Sequence, residues 1–212
     1  MTAVIFDLDG TLLDTLEDLA DAVNVSLDAF GYPRRSLEEV RQFVGNGAAR
    51  LLELAVPQGA DSAPVLEYFR GYYDAHCRIK TGPYPGILEA LSQIGQAYPL
   101  AIVSNKPDSA VKALCADYFP GIFAMGEHAG CPRKPAADMV HKAMVAIGAE
   151  NCLYVGDSEV DIKTAQNAQV PCLSVLWGFR DREVLEQAGA THFCAHPKDL
   201  ANEICNILSR EK

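Results

Sequence analysis

Two aspartates, Asp7 and Asp9, stand two residues apart directly after a short apolar run and are followed by Gly10 and Thr11. Residues two apart at a strand end project to the same side, so both carboxylates can face one point. Far along the chain Gly156-Asp157-Ser158 follows another apolar run, with Asp161 four residues beyond Asp157. A third run ends in Ser104-Asn105-Lys106-Pro107, and Lys134 precedes Pro135 shortly before a helical stretch. Carboxylates gathered at one place repel unless a cation is present. Oxygen donors select a hard ion, and Mg²⁺ binds through one or two carboxylates plus substrate phosphate. Ser104 can donate a hydroxyl to a phosphoryl oxygen, and Lys134 can neutralise the charge of that group. Phosphoryl transfer needs positioning and charge stabilisation above all, and this inventory supplies both.

Singly, each signal has a plainer reading. Asp-x-Asp-Gly is also a turn, and Asp157 suits a helix N-terminus. Ser104 can bond to backbone at a strand end, and a lone lysine such as Lys134 is usually solvated. Their joint occurrence after successive apolar runs favours chemistry.

The elements that must position them read clearly. Residues 3–6, 100–103, 122–125, 152–155 and 172–176 are short and apolar throughout rather than alternating, as strands buried on both faces of a parallel sheet are. Helical patterns at 86–96, 109–116, 136–147 and 161–167 separate them, and a last helix is expected at 198–208. Such alternation predicts an α/β fold with a doubly wound, mostly parallel Rossmann-like sheet. Ligands bind beyond the carboxyl ends of such strands. Four of the five runs are followed by informative residues there. The fifth is followed by Trp177-Gly178-Phe179, where nothing points to chemistry and Trp177 is expected to pack.

Residues 14–80 hold no convincing strand, only helical periodicity. Thr15-Leu16-Glu17-Asp18 resembles a capping box opening a helix that ends near Gly31-Tyr32-Pro33. Further helices are expected at 37–43, 48–55 and 63–78, before Thr81-Gly82-Pro83-Tyr84-Pro85-Gly86 breaks the pattern. The organisation expected is an α/β core of residues 1–13 and 84–212 with an inserted helical cap at 14–83.

Asp7-x-Asp9-Gly10-Thr11, the run ending in Ser104-Asn105, Lys134, and Gly156-Asp157-Ser158-x-x-Asp161 resemble, in order, the four motifs of the haloacid dehalogenase (HAD) superfamily. Ser104-Asn105-Lys106-Pro107 and Val44-Gly45-Asn46-Gly47 look most like the phosphoglycolate phosphatase subfamily. The resemblance implies that Asp7 is the nucleophile and forms an aspartyl-phosphate. Asp9 would protonate the leaving oxygen and then activate water. Mg²⁺ would be held by Asp7, the backbone carbonyl of Asp9 and Asp157, with Asp161 direct or through water. Ser104 and Lys134 would grip the phosphoryl group. Thr11, Asn105, Lys106, Gly45 and Asn46 would face the substrate, the last two in a cap loop that closes over it. Arg50 reads as a surface residue, and the five histidines show no ligand spacing.

The implied activity is hydrolysis of a small phosphorylated metabolite, 2-phosphoglycolate foremost. A nucleotidase, pyrophosphatase, sugar phosphatase or phosphomutase would use the same core motifs. A non-catalytic phosphate-binding relative usually lacks the nucleophile or a metal carboxylate, and neither is missing here. A dinucleotide-binding protein would need a glycine fingerprint after the first strand, which is absent.

Bulk properties narrow the partners. A net charge of −10 with no basic cluster argues against nucleic acid. No apolar run approaches membrane-spanning length, and the opening residues do not read as a signal peptide. Seven cysteines without a CxxC pair are expected to be reduced thiols rather than a disulfide framework or zinc site. A cytoplasmic protein, monomer or homodimer, is the resulting expectation.

Overall fold

The structure, a computed structural model, describes residues 1–210. The chain runs β1 (Thr2–Phe6), β2 (Leu13–Asp14), α1 (Leu16–Ala29), α2 (Leu37–Phe43), α3 (Gly47–Ala55), α4 (Ala63–His76), β3 (Gly82–Pro83), α5 (Ile87–Ile94), β4 (Leu100–Pro107), α6 (Asp108–Tyr118), β5 (Phe123–Glu127), α7 (Asp138–Ala146), β6 (Asn151–Gly156), α8 (Glu159–Ala168), β7 (Cys172–Val175), α9 (Arg182–Gln187), β8 (Phe193–Cys194) and α10 (Leu200–Arg210). Six strands form one sheet in the order β5-β4-β1-β6-β7-β8, every neighbouring pair parallel.

Strand β1 shows why its run is apolar at every position. Val4 and Phe6 face a layer with Ile102, Leu153 and Val155 beneath α5, α6 and α10. Ala3 and Ile5 face the opposite layer with Ala101, Val103 and Tyr154 against α7 and α8. Both faces are covered, so neither alternate set can be polar. The strand order reverses about β1, with β4 on one side and β6 on the other. The crevice at their carboxyl ends is where such sheets take ligands.

Helices α1 to α4 carry a separate apolar cluster that includes Leu19, Val23, Val40, Leu52, Val65 and Phe69. The short antiparallel pair β2–β3, Leu13 opposite Pro83 and Asp14 opposite Gly82, joins this helical unit to the sheet.

Local departures from the sequence expectations have identifiable causes. Strands β2, β3 and β8 are two residues long, too short to carry a periodic signal. Strand β4 continues through Pro107, so Ser104, Asn105 and Lys106 lie on the strand itself. The capping box expected at Thr15 does not form, for Thr15 makes no side-chain cap bond. Asp18 instead accepts the backbone N–H groups of Ile79, Lys80 and Thr81 at 2.9–3.1 Å. Three donors from the returning chain outcompete one orphan amide, and α4 ends at His76, two residues short of the expected 78. A capping box does form at Ser36–Glu39. Helix α9 was not anticipated, and the last helix starts at Leu200 rather than 198 because Pro197–Asp199 is a 3-10 turn. All seven cysteines are free. Among the described residues, no helix is long and apolar enough to cross a membrane.

Candidate active site

Asp157 is held by donors from two other loops. Strand β6 delivers it to the sheet edge, where the Phe179 N–H donates to Oδ2 at 2.7 Å and the Thr11 hydroxyl to Oδ1 at 3.1 Å. The Trp177 indole N–H donates to the Thr11 carbonyl at 3.0 Å. The loops after β1, β6 and β7 thus interlock around one carboxylate that is 1% exposed. Two glycines permit this. Gly10 has φ +80°, and a Cβ on it or on Gly178 would collide with the Asp157 side chain.

Asp7, Asp157 and Asp161 each offer a carboxylate oxygen, the three lying within 4.8 Å of one another. Lys134, 2% exposed, donates to Asp161 Oδ1 at 2.8 Å and to the Tyr154 hydroxyl at 3.0 Å. Its ammonium is also 2.8 Å from Asp7 Oδ1, but off the line of a hydrogen bond, so that buried oxygen has charge nearby and no donor. The other Asp161 oxygen accepts from the backbone N–H and hydroxyl of Ser158.

Across the cavity Lys106 donates to Asp9 Oδ1 at 2.8 Å, and the ring of Tyr73 on α4 sits 4.7 Å from its ammonium. The Tyr73 hydroxyl is buried and has no hydrogen-bond partner among the described residues. Asp9 therefore directs its carboxylate to Lys106, away from the trio. Ser104 is 2% exposed and its Oγ accepts the Lys106 N–H at 3.2 Å, leaving the hydroxyl proton free.

Four carboxylates against two ammoniums leave the cluster at a formal charge of −2. Burial, reinforced by Asp161 and Asp157, pushes the Asp7 carboxyl well above its usual range. Burial and then Asp161 push Asp157 up to about 7. Burial opposes the charge on Lys134, but Asp161 and Asp7 outweigh it and keep the ammonium charged. The surplus negative charge, the orphaned Asp7 oxygen and the all-oxygen donor set fit a hard divalent cation.

Two residues expected at the substrate also serve other residues. Thr11 serves Asp157. The Asn105 amide accepts from the Lys134 N–H at 2.8 Å and donates to the carbonyls of Lys134 and Gly45 at 2.9 and 3.1 Å. It braces the lysine and the loop between α2 and α3. Gly45, Asn105 and Lys106 line the cavity, whereas Thr11 and Asn46 do not, Asn46 preceding α3 as its N-cap. Arg50 pairs with Glu53 on the surface, as expected.

The cavity is roofed by Leu19, Val44, Leu51, Phe69 and Phe179. It offers about 60 Å³ to water-sized groups, space for roughly four to six such groups. Tyr73, Phe179 and Arg180 were not singled out from sequence. The loop after the fifth run, judged uninformative, supplies the Asp157 donor and part of the roof. The rule that sites gather beyond strand carboxyl ends applied to it as well.

Residues 4–175 match the family model described as haloacid dehalogenase-like hydrolase. The chain is 36% identical over 191 residues to the phosphoglycolate phosphatase of Rhodobacter capsulatus, covering 84% of this chain and 85% of that one. It is 34% identical to the phosphoglycolate phosphatase of Mesorhizobium japonicum, with 95% of each covered. A crystal structure from Lactobacillus delbrueckii subsp. bulgaricus, provisionally assigned as a phosphoglycolate phosphatase, superposes with a TM-score of 0.90 at 37% identity, covering 95% of this chain and 97% of that one.

Proposed function

The chain belongs to the haloacid dehalogenase-like hydrolase family and is a phosphatase, and we propose that it is a Mg²⁺-dependent hydrolase of a small phosphomonoester, 2-phosphoglycolate being the first choice. The observation that carries the mechanism is the buried trio of Asp7, Asp157 and Asp161 facing Lys134, with Asp9 across the cavity on Lys106. Asp7, Asp157 and the Asp9 carbonyl would hold the cation, with Asp161 acting directly or through water. When bound, Mg²⁺ supplies positive charge that lets a nucleophilic carboxylate and a phosphoryl dianion approach each other.

Asp7 attacks phosphorus. A bond from its carboxylate oxygen to phosphorus forms as the bond to the ester oxygen breaks, and Asp9, which must first take up a proton and turn from Lys106 when substrate binds, gives that proton to the ester oxygen. Asp9, now ionised, takes a proton from water as the water attacks the Asp7 phosphoryl group. The bond to Asp7 breaks and inorganic phosphate leaves. Ser104 and Lys134 bind the phosphoryl oxygens, and the apolar roof excludes competing water.

The choice of a small substrate rests on the cavity and on the relatives named phosphoglycolate phosphatase. An apolar roof offers little to the hydroxyls of a sugar, which would be buried unpaired. The lone Tyr73 hydroxyl and the first turn of α3, which has no side-chain cap, can take a short carboxylate instead.

The test is phosphate release from 2-phosphoglycolate, sugar phosphates, nucleotides and pyrophosphate, with and without Mg²⁺ and with Asp7→Asn as control. Magnesium-dependent release with the highest kcat/KM on 2-phosphoglycolate supports the proposal. A higher value on a nucleotide or sugar phosphate replaces the substrate, and turnover retained by Asp7→Asn removes the nucleophile.

A further inference from the structure

Arg180 lies in the loop after β7, lines the catalytic cavity, and spends its guanidinium on the protein rather than on the space beside it. Its Nε donates to Glu159 Oε2 on α8 at 2.8 Å. Its Nη1 donates to the Arg41 carbonyl at 2.9 Å and its Nη2 to the Val44 carbonyl at 2.7 Å, with a longer contact to Gln42 O at 3.4 Å. Those carbonyls end α2, where no intrahelical donor reaches them and the helix dipole is negative. A residue of the sheet unit thus caps a helix of the lid, while an acid on the sheet unit orients it. A guanidinium can bridge these acceptors in one plane; an ammonium cannot.

The carbonyls belong to the chain just before the cavity wall. Val44 is followed by Gly45, whose φ of +123° turns the backbone toward the site, and the Gly45 carbonyl is itself held by Asn105. The loop therefore has one anchor from β4 and one from the loop after β7. Phe179, adjacent to Arg180, has its ring in the apolar cluster of the cap and its N–H on Asp157. The nearby Arg41–Asp181 pair is 2.9 Å long, but Asp181 is 70% exposed, so it contributes little.

We infer that Arg180 is a positioning residue that latches the loop after α2 over the phosphoryl site, leaving the placement of Asp157 to its own donors. The latch sets how much of the time the small, dry cavity exists, whichever small ester fills it.

The experiment compares wild type, Arg180→Gln, Arg180→Lys and Glu159→Gln as full chains in Mg²⁺. Hydrogen exchange is followed at residues 42–48 and in β1 and β6, and hydrolysis is measured on 2-phosphoglycolate and on p-nitrophenyl phosphate. Arg180→Gln should speed exchange at 42–48 tenfold or more with β1 and β6 unchanged. Its kcat/KM on 2-phosphoglycolate should fall tenfold or more, while the aryl ester, too large for the closed cavity, is hydrolysed as fast or faster. Arg180→Lys should recover less than half of either loss. Should Arg180→Gln not fold, Glu159→Gln, which keeps the arginine but weakens its orientation, should still speed loop exchange severalfold. Unchanged loop exchange in the folded variants overturns the latch, as does a parallel fall on both esters. Inactivity of wild type on 2-phosphoglycolate alone would count against that substrate and leave the exchange measurement to decide the latch.

Discussion

Replacing Asp157 by Asn should make the metal-free protein more stable and the magnesium-loaded protein relatively less so. The substitution keeps shape: the new carbonyl can accept the Phe179 N–H, and the new amide can donate to Thr11 Oγ after its hydroxyl turns. What changes is charge in a cluster carrying a formal −2. Burial and Asp161 push the Asp157 carboxyl up to about 7, against about 3.9 for an unfolded aspartate. A folded state that holds its proton more tightly than the unfolded one loses stability as pH rises from about 4 to 7. The gap of about three units sets a ceiling of about 4 kcal/mol above pH 7. Water entry and relaxation bring the effective penalty to about 1–2 kcal/mol. At about 2–4 °C per kcal/mol for a chain of this size, Asp157→Asn in EDTA at pH 8 should melt about 2–8 °C above wild type. The difference should vanish toward pH 4. Added Mg²⁺ at a hundredfold excess over its Kd stabilises wild type by about 2.7 kcal/mol, hence about 5–11 °C; the variant should gain a third of that or less. Differential scanning fluorimetry reads all four states. A variant that melts below wild type in EDTA at pH 8, or that gains the full magnesium shift, would refute the electrostatic account.

Asp7→Asn should lower turnover by about 10³-fold or more with the fold retained, as judged by phosphate release and circular dichroism. Lys134→Met should destabilise by about 3–5 kcal/mol in urea titration, because Asp161 loses its buried ammonium. Adding Asp161→Asn should recover part of that loss, and a strictly additive pair would show that the two do not interact. Tyr73→Phe removes a buried hydroxyl that has no protein partner, so stability should hold or rise slightly. KM for a carboxylate-bearing ester should rise severalfold, and an unchanged KM would exclude the hydroxyl from substrate binding.

The sheet was legible because burial on both faces leaves no choice of residue type. Ala3, Val4, Ile5 and Phe6 are all apolar since each meets a covered layer, and that pattern is local. The acidic and basic residues were legible for a related reason. A switch-point sheet collects whatever follows its strands, so Asp7, Ser104 and Asp157 could be placed together from order alone. Periodicity also found the main helices α1 to α4, because each presents an apolar stripe to its neighbours.

What the linear order left undetermined were partnerships between residues far apart in the chain. Asp18 looked like a helix cap and became the anchor of residues 79–81. Asn105 and Thr11 read as substrate contacts, and the structure also makes them braces for Lys134 and Asp157. Lys134 alone read as a solvated lysine and is 2% exposed between two carboxylates. A side chain with several donors or acceptors goes to whichever partners folding brings within about 3 Å, and a bond across more than a hundred residues leaves no trace in spacing. Phe179 and Arg180 make the point most directly. Their types suggest packing and a surface charge, and only the docking of cap on sheet turns them into the donor for Asp157 and the cap of α2.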